Sequence, residues 1–487
     1  MRDRVAQEPG EAMSKNTPRF GNFERLAYGS GELGPAMAGS TIIFFQLVFL
    51  TDVAGMNPGL AGSVLLIARI WDAVNDPLIG WLSDHTKTPW GRRLPWMVVS
   101  AVPFPAFFLI FWLVPDFAGP GAQWQYFGYY LVVAVLFSTV STTLSLPHSS
   151  LTAELSRDYD ERSRLTAYRM GFSLAGSVGG LVVALVVFQL LKDAPKTIQY
   201  AVFGAAIAVI CLVSVILCLI GIWTIAISRD RQRLRRQEAD EFAAKPLPLR
   251  EQLSLLLDNK PFLLVCGIYL CSWLAMQFTA TVLPFYTQSW LRLPATTFQL
   301  LALTVQTTAL CLMPFWGWVS VKTGKKLVYF VGMSFWVLAQ AGLVFLKPGD
   351  TKIIFLMAFV AGFGISVCYL IPNAMLPDVV EYDELKTGRR REGVYFGFCI
   401  FLQKTALAIG TFIVGQMLAL AGYIPSGPHE AIPEQPESAL LAIRLAIGPL
   451  PALALVIGMI LTAFYPITRE SHRRVVEELD ARRRQIS

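Results

Sequence analysis

The sequence predicts an all-α membrane protein whose twelve transmembrane helices form two pseudo-symmetric six-helix bundles. Composition, the spacing of apolar segments and an internal repeat lead to this fold class. Of the 487 residues, 54% are hydrophobic and 15% are charged, and the mean hydropathy is +0.51. A water-soluble domain of this composition would expose large apolar patches, whereas a bilayer accommodates them.

Twelve apolar windows have about the 20 residues that a helix needs to cross roughly 30 Å of hydrocarbon. The predicted spans 1 to 12 cover residues 27–50, 60–83, 95–114, 125–150, 167–190, 198–227, 261–289, 297–320, 327–346, 353–377, 393–421 and 440–466.

Basic residues are concentrated in the loops that follow the even-numbered spans. These loops contain Lys87, Arg92 and Arg93; Arg157, Arg162 and Arg164; the run from Arg229 to Arg250; Lys322, Lys325 and Lys326; and Lys386 with Arg389 to Arg391. The opposite loops contain fewer, namely Lys192, Lys196, Arg292, Lys347 and Lys352. Positive charge marks the cytoplasmic side of membrane proteins. We therefore expect a bacterial inner-membrane protein with both termini in the cytoplasm.

Several classes of protein are disfavoured. The net charge of +7 comes from short basic loops between apolar segments, which argues against a nucleic-acid-binding domain. The seven cysteines lie within apolar segments without C-x-x-C spacing, so neither a disulfide framework nor a zinc site is indicated. Neither a G-x-S-x-G motif nor a glycine-rich phosphate loop after a strand is present, so we expect neither an enzyme nor ATP-driven transport.

Polar stretches divide the chain into five parts. Residues 1–24 are a predicted cytoplasmic tail, since they lack the basic and apolar regions of a signal peptide. Residues 25–227 and 261–467 form the two predicted bundles, residues 228–260 a charged linker, and residues 468–487 a second cytoplasmic tail.

The two halves repeat each other. Gly80 to Ser83 (GWLS) before one basic loop recurs as Gly317 to Ser320 (GWVS) before another. Leu146-Pro147, followed by acids and a basic cluster, recurs as Ile371-Pro372. Such halves are typical of transporters in which two bundles rock around a substrate site near mid-membrane.

Span 2 contains the most unusual polar group. Residues 69–77 read RIWDAVNDP, and on a helix Asp72 and Asp76 share a face, with Asn75 beside Asp76 and Arg69 one turn before Asp72. Counting from the start of the span places Asp72 about 18 Å deep, near the bilayer centre.

Two acids at this depth need compensation, because each charge costs about 2.5–3.5 kcal/mol on insertion scales. Arg69 can neutralise one of them, which leaves the other for a proton or a hard cation such as Na⁺ bound by Asp72 and Asp76. The alternative is a helix-packing salt bridge without a bound ion.

The RIWDAVNDP segment resembles the signature of the glycoside–pentoside–hexuronide:cation symporters of the major facilitator superfamily, whose best-known member is melibiose permease. The resemblance extends over nearly the whole chain and includes Tyr28-Gly29, residues 159–162 (YDER), Tyr168-Arg169, and residues 382–388 (YDELKTG) before residues 390–393 (RREG). It implies the major facilitator fold and alternating access. It also implies that Asp72, Asn75, Asp76 and Thr142 bind the coupling Na⁺ or H⁺.

The positions that match the family's sugar-binding residues differ in this chain. The acids of spans 1 and 4 are replaced by Ala36 and Ser145, and a stacking tryptophan is replaced by Ser149. Arg169 and the deep Lys404 remain, so we expect a cavity more cationic than a neutral sugar site. Arg169, Lys404, Ser145, Ser149 and Tyr369 are the candidate substrate-binding residues.

Structural roles for these residues remain open. Lys404 could instead pair with Asp72 or Asp76 across the bundle interface, and Arg169 could reach the cytoplasmic surface. His148 is either a helix-packing hydrogen bonder or a proton relay, with the packing role favoured. The Gly91-Arg92-Arg93 loop resembles a superfamily motif that, with Asp84, clasps neighbouring helices.

We therefore expect a monomeric secondary transporter without a cofactor, which couples Na⁺ or H⁺ to a sugar, glycoside or related organic solute that could be anionic. Its remaining partner is membrane lipid. One alternative is a sodium-dependent lysophospholipid transporter of the same fold, and a more distant one is a non-transporting membrane sensor.

Overall fold

The computed structural model describes residues 21–486 except residues 118, 157–158, 238–255, 257, 388–391 and 427–432. Throughout this part of the chain, regular secondary structure is helical. Eleven spans in it are long and apolar enough to cross a membrane. The remaining predicted span is helix Pro58–His85, which at 28 residues is also long enough but has Arg69, Asp72 and Asp76 in its middle.

The helices correspond to the predicted spans in order. They are Asn22–Ser30 with Leu33–Asp52 (span 1), Pro58–His85 (span 2), Leu94–Ser100 with Pro103–Phe111 (span 3), Ala122–Leu155 (span 4), Tyr159–Leu190 (span 5), Lys196–Gln237 (span 6), Lys260–Phe285 with a π-helical turn Tyr286–Trp290 (span 7), Ala295–Thr323 (span 8), Lys325–Phe345 (span 9), Thr351–Thr387 (span 10), Glu392–Leu420 (span 11), and Glu437–Ile447 with Pro449–Phe464 (span 12).

Three spans are interrupted. Spans 3 and 12 break immediately before Pro103 and Pro449, because proline lacks an N–H and clashes with the preceding turn. Span 1 breaks at Gly31-Glu32, where Pro35 lacks the N–H that would donate to the Gly31 carbonyl oxygen and its ring clashes with that carbonyl group. This break presents Glu32 to the interior of the protein.

Several helices are longer than the apolar windows. Span 5 begins at Tyr159 rather than at 167, span 10 continues to Thr387 rather than 377, and span 6 continues to Gln237. A helix needs only its own backbone hydrogen bonds to continue into water, whereas a hydropathy window ends where polar residues begin. The predicted linker thus begins as helix, and residues 238–255 lie outside the described part.

The predicted C-terminal tail also contains a helix, Arg469–Ile486, which packs against span 10. His472 Nε2 lies 2.7 Å from Glu381 Oε2 and 3.4 Å from Asp378 Oδ1. Val475 and Leu479 supply its buried apolar face. The predicted N-terminal tail lies outside the described residues up to Phe20, and the first helix begins at Asn22.

The two six-helix bundles meet mainly along three helix pairs. Span 2 packs against span 11, span 5 against span 8, and span 1 against span 7. We call the end formed by the loops after spans 2, 4, 8 and 10 the basic face, and the other end the opposite face. The polar residues of span 2 lie between these faces, at the junction of the bundles.

Candidate functional site

A cavity of about 420 Å³ lies between the bundles, and most of its wall belongs to the N-terminal bundle. Its lining residues are Glu32, Ile42, Gln46, Leu65, Ala68, Arg69, Asp72, Asp76, Ala134, Phe137, Ser138, Ser141, Thr142, Ser145, Leu146, Ser149 and Arg169, with Ile400 and Lys404 from span 11. This volume is within the range of about 300–1,000 Å³ typical of small-molecule sites.

Asp72 is buried on the cavity wall, with 5% of its surface exposed. The Arg69 Nη1 atom lies 3.3 Å from Asp72 Oδ2, as the helical spacing of the two residues predicts. The Ser138 hydroxyl of span 4 donates a hydrogen bond to Asp72 Oδ1. This carboxylate therefore has one ionic and one neutral partner within the N-terminal bundle.

Asp76 lies one turn further along span 2 and joins the two bundles. The Thr142 hydroxyl donates to Asp76 Oδ1 over 2.8 Å, and Lys404 Nζ donates to Asp76 Oδ2 over 2.5 Å. Lys404 Nζ is also 3.8 Å from Asp72 Oδ2. Lys404 therefore pairs with an aspartate of span 2, which is one of the two roles that the sequence left open for it. The side chains of Asp76 and Lys404 remain 30% and 28% exposed, so the ion pair is accessible from the cavity.

Asn75 occupies a different environment. It is 1% exposed, it is not among the lining residues, and its buried Nδ2 atom has no hydrogen-bond partner within the described part of the chain. The structure therefore places Asn75 behind the cavity wall formed by Asp72 and Asp76.

Four of the five candidate substrate residues line the cavity: Arg169, Lys404, Ser145 and Ser149. Arg169 Nη1 donates to the Ser149 carbonyl oxygen over 3.3 Å, and so points inward. Tyr369 lies elsewhere, in the C-terminal bundle, where its hydroxyl donates to Gln306 Oε1 over 3.3 Å. It is not brought together with the other four.

Sequence reasoning missed Glu32 as a cavity residue. Ala36, the position where an acid was sought, packs against Gly176 of span 5, whereas Glu32 lies one turn earlier and lines the cavity. Glu32 Oε2 is 3.5 Å from His148 Nδ1 and 3.9 Å from Arg169 Nε. The sequence did contain a signal, because Glu32 is the single acidic residue of predicted span 1 and it follows a glycine.

Glu32 changes the expected charge of the cavity. With it, three acidic and three basic side chains line the wall: Glu32, Asp72 and Asp76, and Arg69, Arg169 and Lys404. The lining is therefore formally balanced, not cationic as the sequence indicated. Any bound cation adds a positive charge that an anionic group of a solute can neutralise.

Oxygen atoms are available for a hard cation beside the two aspartates. The described residues contain no cluster of three or more His, Cys, Asp or Glu side chains that could hold a metal. A Na⁺ ion here would need hydroxyl ligands in addition to Asp72 and Asp76, and Ser138 and Thr142 already contact these carboxylates. This oxygen-only set fits an alkali cation better than a transition metal.

At the opposite face the cavity is closed by contacts between the bundles. A Cβ atom added to Gly415 would lie 2.6 Å from the Pro58 carbonyl oxygen and 3.1 Å from Gly62 Cα, so the helices touch backbone to backbone. Nearby, Gln416 Nε2 donates to the Gly59 carbonyl oxygen over 3.0 Å. Span 2 and span 11 are thus tightly joined beyond the cavity.

The ends of spans 1 and 11 strengthen this closure. The Tyr423 hydroxyl lies 3.1 and 3.0 Å from the two carboxylate oxygens of Asp52. Burial raises the pKa of the Tyr423 hydroxyl well above its ordinary value, so it stays protonated and donates. The Ser426 hydroxyl donates to the Asp52 carbonyl oxygen and accepts from Lys196 Nζ, each over 3.2 Å.

The basic face contains the predicted clasp. Arg93 donates to Asp84 over 2.5 Å, and Arg92 Nε donates to Glu154 over 2.9 Å. The second half repeats the arrangement, since Lys325 Nζ lies 2.7 Å from both carboxylate oxygens of Asp378. The internal repeat of the sequence therefore corresponds to a repeated contact between a basic loop and an acid on a long helix.

Comparisons with known proteins identify the family. Residues 27–469 match the family model described as MFS/sugar transport protein. An uncharacterized symporter of Synechocystis is 39% identical over 94% of this chain and 96% of its own length. The human sodium-dependent lysophosphatidylcholine symporter 1 is 28% identical over 99% of this chain and 92% of its own.

Solved structures agree on the fold. The nucleoside transporter NupG superposes with a TM-score of 0.62 at 15% identity, covering 92% of this chain and all of that one. A D-xylose-proton symporter gives 0.61 at 14% identity, covering 91% and 95%. With the motif of span 2, the family match and the symporter relatives confirm the predicted resemblance, and these relatives are transporters and not enzymes. The chain belongs to the MFS/sugar transport family, and it is a multi-pass membrane symporter of the major facilitator type.

Proposed function

We propose that this symporter couples Na⁺ or H⁺ to a small polar solute with an anionic group, and that Lys404 links the two binding events. The observation that carries the proposal is the Lys404–Asp76 ion pair, which lies in the cavity and not in the packed interior. Lys404 and a cation compete for the same carboxylate.

Competition provides the coupling. A cation bound between Asp72 and Asp76 replaces the ammonium group of Lys404, which then needs another anionic partner. A carboxylate or sulfonate on the solute supplies that partner, so each ligand favours the binding of the other. Thermodynamic linkage requires this effect to be reciprocal. The formally balanced cavity thus stays balanced when both ligands are bound.

The wall of span 4 indicates the rest of the solute. Ser138, Ser141, Thr142, Ser145 and Ser149 present a row of hydroxyl groups to the cavity. Hydroxyl groups donate and accept hydrogen bonds, which suits the hydroxyls of a sugar or glycoside. Together with Arg169 and Lys404, this wall favours a sugar acid or a similarly charged glycoside.

An amphipathic solute is the second candidate. Ala167, Tyr168, Gly171, Phe172 and Ala175 line an apolar groove of about 440 Å³ on span 5, the helix that carries Arg169. A lysophospholipid could place its headgroup by Arg169 and its chain along this groove. Similarity to the lysophosphatidylcholine symporters supports this candidate.

The charge of the loops supports an orientation in a bacterial inner membrane with the basic face in the cytoplasm. In that orientation the contacts between spans 2 and 11 close the cavity on the periplasmic side, which supports an inward-facing state of an alternating-access cycle.

The experiment is a thermal-unfolding titration of purified protein with Na⁺ at fixed pH, and with pH in the absence of Na⁺. A ligand present at 100 times its Kd stabilises the folded state by about 2.7 kcal/mol. We expect one of the two cations to stabilise the wild type and not Asp76→Asn. The matched control is Asp116→Asn, an exposed acid in the loop after span 3, which should retain the response.

The solute is tested in the same assay with the coupling cation present. Glucuronate, glucose and lysophosphatidylcholine represent an anionic sugar, a neutral sugar and an amphipath. Stabilisation by glucuronate that depends on the cation supports the proposal, whereas stabilisation by lysophosphatidylcholine alone supports the second candidate. If neither Na⁺ nor protons distinguish Asp76→Asn from the wild type, the coupling site is not at these aspartates.

A further inference from the structure

A second group of ionisable residues lies on the cavity wall, away from the aspartates of span 2. Glu32 is at the break of span 1, His148 is on span 4 and Arg169 is on span 5. The His148 side chain is only 3% exposed, whereas that of Glu32 is 26% exposed and faces the cavity. Residues from three helices thus surround one carboxylate at a site that the coupling mechanism above does not use.

Both ring nitrogens of His148 face acceptors. Nε2 lies 3.0 Å from the Tyr28 carbonyl oxygen, which can only accept a hydrogen bond. Nδ1 lies 3.5 Å from Glu32 Oε2. A neutral imidazole has one N–H, and when that N–H donates to the Tyr28 carbonyl oxygen, the unprotonated Nδ1 opposes a carboxylate oxygen. One additional proton removes this conflict.

The packing around the pair holds this geometry in place. A Cβ atom on Gly31 would lie 2.7 Å from His148 Nε2, so the ring can approach the chain here because residue 31 is glycine. The Tyr28 hydroxyl also donates to the His148 carbonyl oxygen over 3.1 Å. The Tyr28 ring also lies against the imidazole, with the ring centroids 4.8 Å apart, so the imidazole is packed between Tyr28 and Gly31.

Other ionisable groups near the pair determine where the proton resides. Tyr28 of span 1, Arg169 of span 5 and Cys218 of span 6 face it. The remaining charged lining residues belong to the other cluster: Arg69, Asp72 and Asp76 of span 2 and Lys404 of span 11. Because the guanidinium of Arg169 is 3.9 Å from Glu32 Oε2, it favours an ionised carboxylate, and the proton then belongs on the imidazole.

We propose that His148 and Glu32 form a proton-binding site of their own, and that a proton bound there as imidazolium releases Arg169 to bind an anionic group of the solute. When the proton leaves, Glu32 loses its cationic partner on span 4 and attracts Arg169, which is then less available. The proton comes from water in the cavity and binds at Nδ1. Only the release of Arg169 rests on the proposed function.

The site is tested by nitrogen NMR of histidine-labelled protein in nanodiscs at pH 7.5, without any solute. The sequence has four histidines, His85, His148, His429 and His472, so single substitutions assign the signals. We expect His148 to give an imidazolium signal in the wild type and in Glu32→Asp, and a neutral signal in Glu32→Gln. A neutral His148 in the wild type, or an imidazolium in Glu32→Gln, would overturn the proposal.

A matched control is available in the second histidine–glutamate pair. Glu381→Gln removes the partner of His472 on the basic face and should change the His472 signal while leaving that of His148 intact. If Glu381→Gln altered His148 as strongly as Glu32→Gln does, the effect would be general electrostatics and the site would be rejected.

The link to Arg169 has its own measurement. In Arg169→Gln the imidazolium of His148 should persist to a higher pH than in the wild type, because a nearby positive charge has been removed. A purely structural role of Arg169 predicts no such shift. An unchanged signal would therefore reject the coupling to Arg169, while leaving the function proposed for Asp76 and Lys404 untouched.

Discussion

The two bundles have the same framework but unequal chemistry. Each has a basic loop bound to an acid on a long helix, Arg92 with Glu154 in one and Lys325 with Asp378 in the other. In the cavity the symmetry ends, because five of the six charged lining residues belong to the N-terminal bundle and Lys404 is the contribution of the other.

This difference separates the roles of the bundles. The N-terminal bundle provides most of the wall of the proposed binding cavity. The C-terminal bundle provides Lys404, whose contact with Asp76 depends on the relative position of the two bundles. A rocking motion that moves span 11 away from span 2 must break the Lys404–Asp76 pair or replace it. Ligand binding and movement are therefore coupled at one contact.

The largest effect on the conformation is expected at the uncharged backbone contact between spans 2 and 11. Gly415→Ala introduces a methyl group 2.6 Å from the Pro58 carbonyl oxygen and should disfavour closure of the opposite face by about 1–3 kcal/mol, the usual cost of overpacking. Distances between spin labels at the opposite-face ends of spans 2 and 11 should lengthen. Gly397→Ala on the same helix meets no atom within 4 Å and serves as the control. Equal distances in both variants would contradict the role of this contact.

The next effect concerns Lys404, the charged residue that the C-terminal bundle contributes to the cavity lining. Lys404→Gln removes the competitor for Asp76, so the coupling cation should bind roughly fivefold to tenfold more tightly, in keeping with about 1 kcal/mol for a partly exposed ion pair. Stabilisation by an anionic solute should be lost in the same variant. The measurement is the cation titration of thermal unfolding, with exposed Lys352→Gln as control. Weaker cation binding would show that Lys404 supports the cation site and does not compete with it.

The smallest effect is expected at the repeated contacts of the basic face. Lys325 is 32% exposed, so Lys325→Gln should lower the free energy of unfolding by less than about 1 kcal/mol. Arg93 is buried and donates to both Ser83 and Asp84, so Arg93→Gln should cost more. Chemical denaturation in detergent compares the two. A larger loss for Lys325→Gln than for Arg93→Gln would show that burial does not determine the cost of losing these contacts.

Much of the fold was predictable because the bilayer imposes a simple requirement on length and polarity. A helix lies at each of the twelve predicted spans, and eleven spans of the described residues are long and apolar enough to cross a membrane. The shared face of Asp72 and Asp76 followed from helical periodicity. The helix extensions beyond the bilayer and the helix Arg469–Ile486 were not foreseen, since hydropathy does not report helices in water.

The site was predicted in part, and its omissions have a physical cause. Lys404 was located by its depth, and its pairing with an aspartate of span 2 was one of two open roles. Asn75 was expected beside the aspartates, but it differs from Asp76 by one residue, or about 100° around the helix, and so faces away from the cavity.

By itself the sequence determined the number of spans, the loop charges and the acids of span 2, because each depends on local composition and on the regular geometry of a helix. Tertiary structure alone decided that Glu32 meets His148 and Arg169, and that Lys404 reaches Asp76. These pairs join residues that are more than a hundred positions apart. Their meeting depends on how the helices pack against one another, which no local pattern specifies.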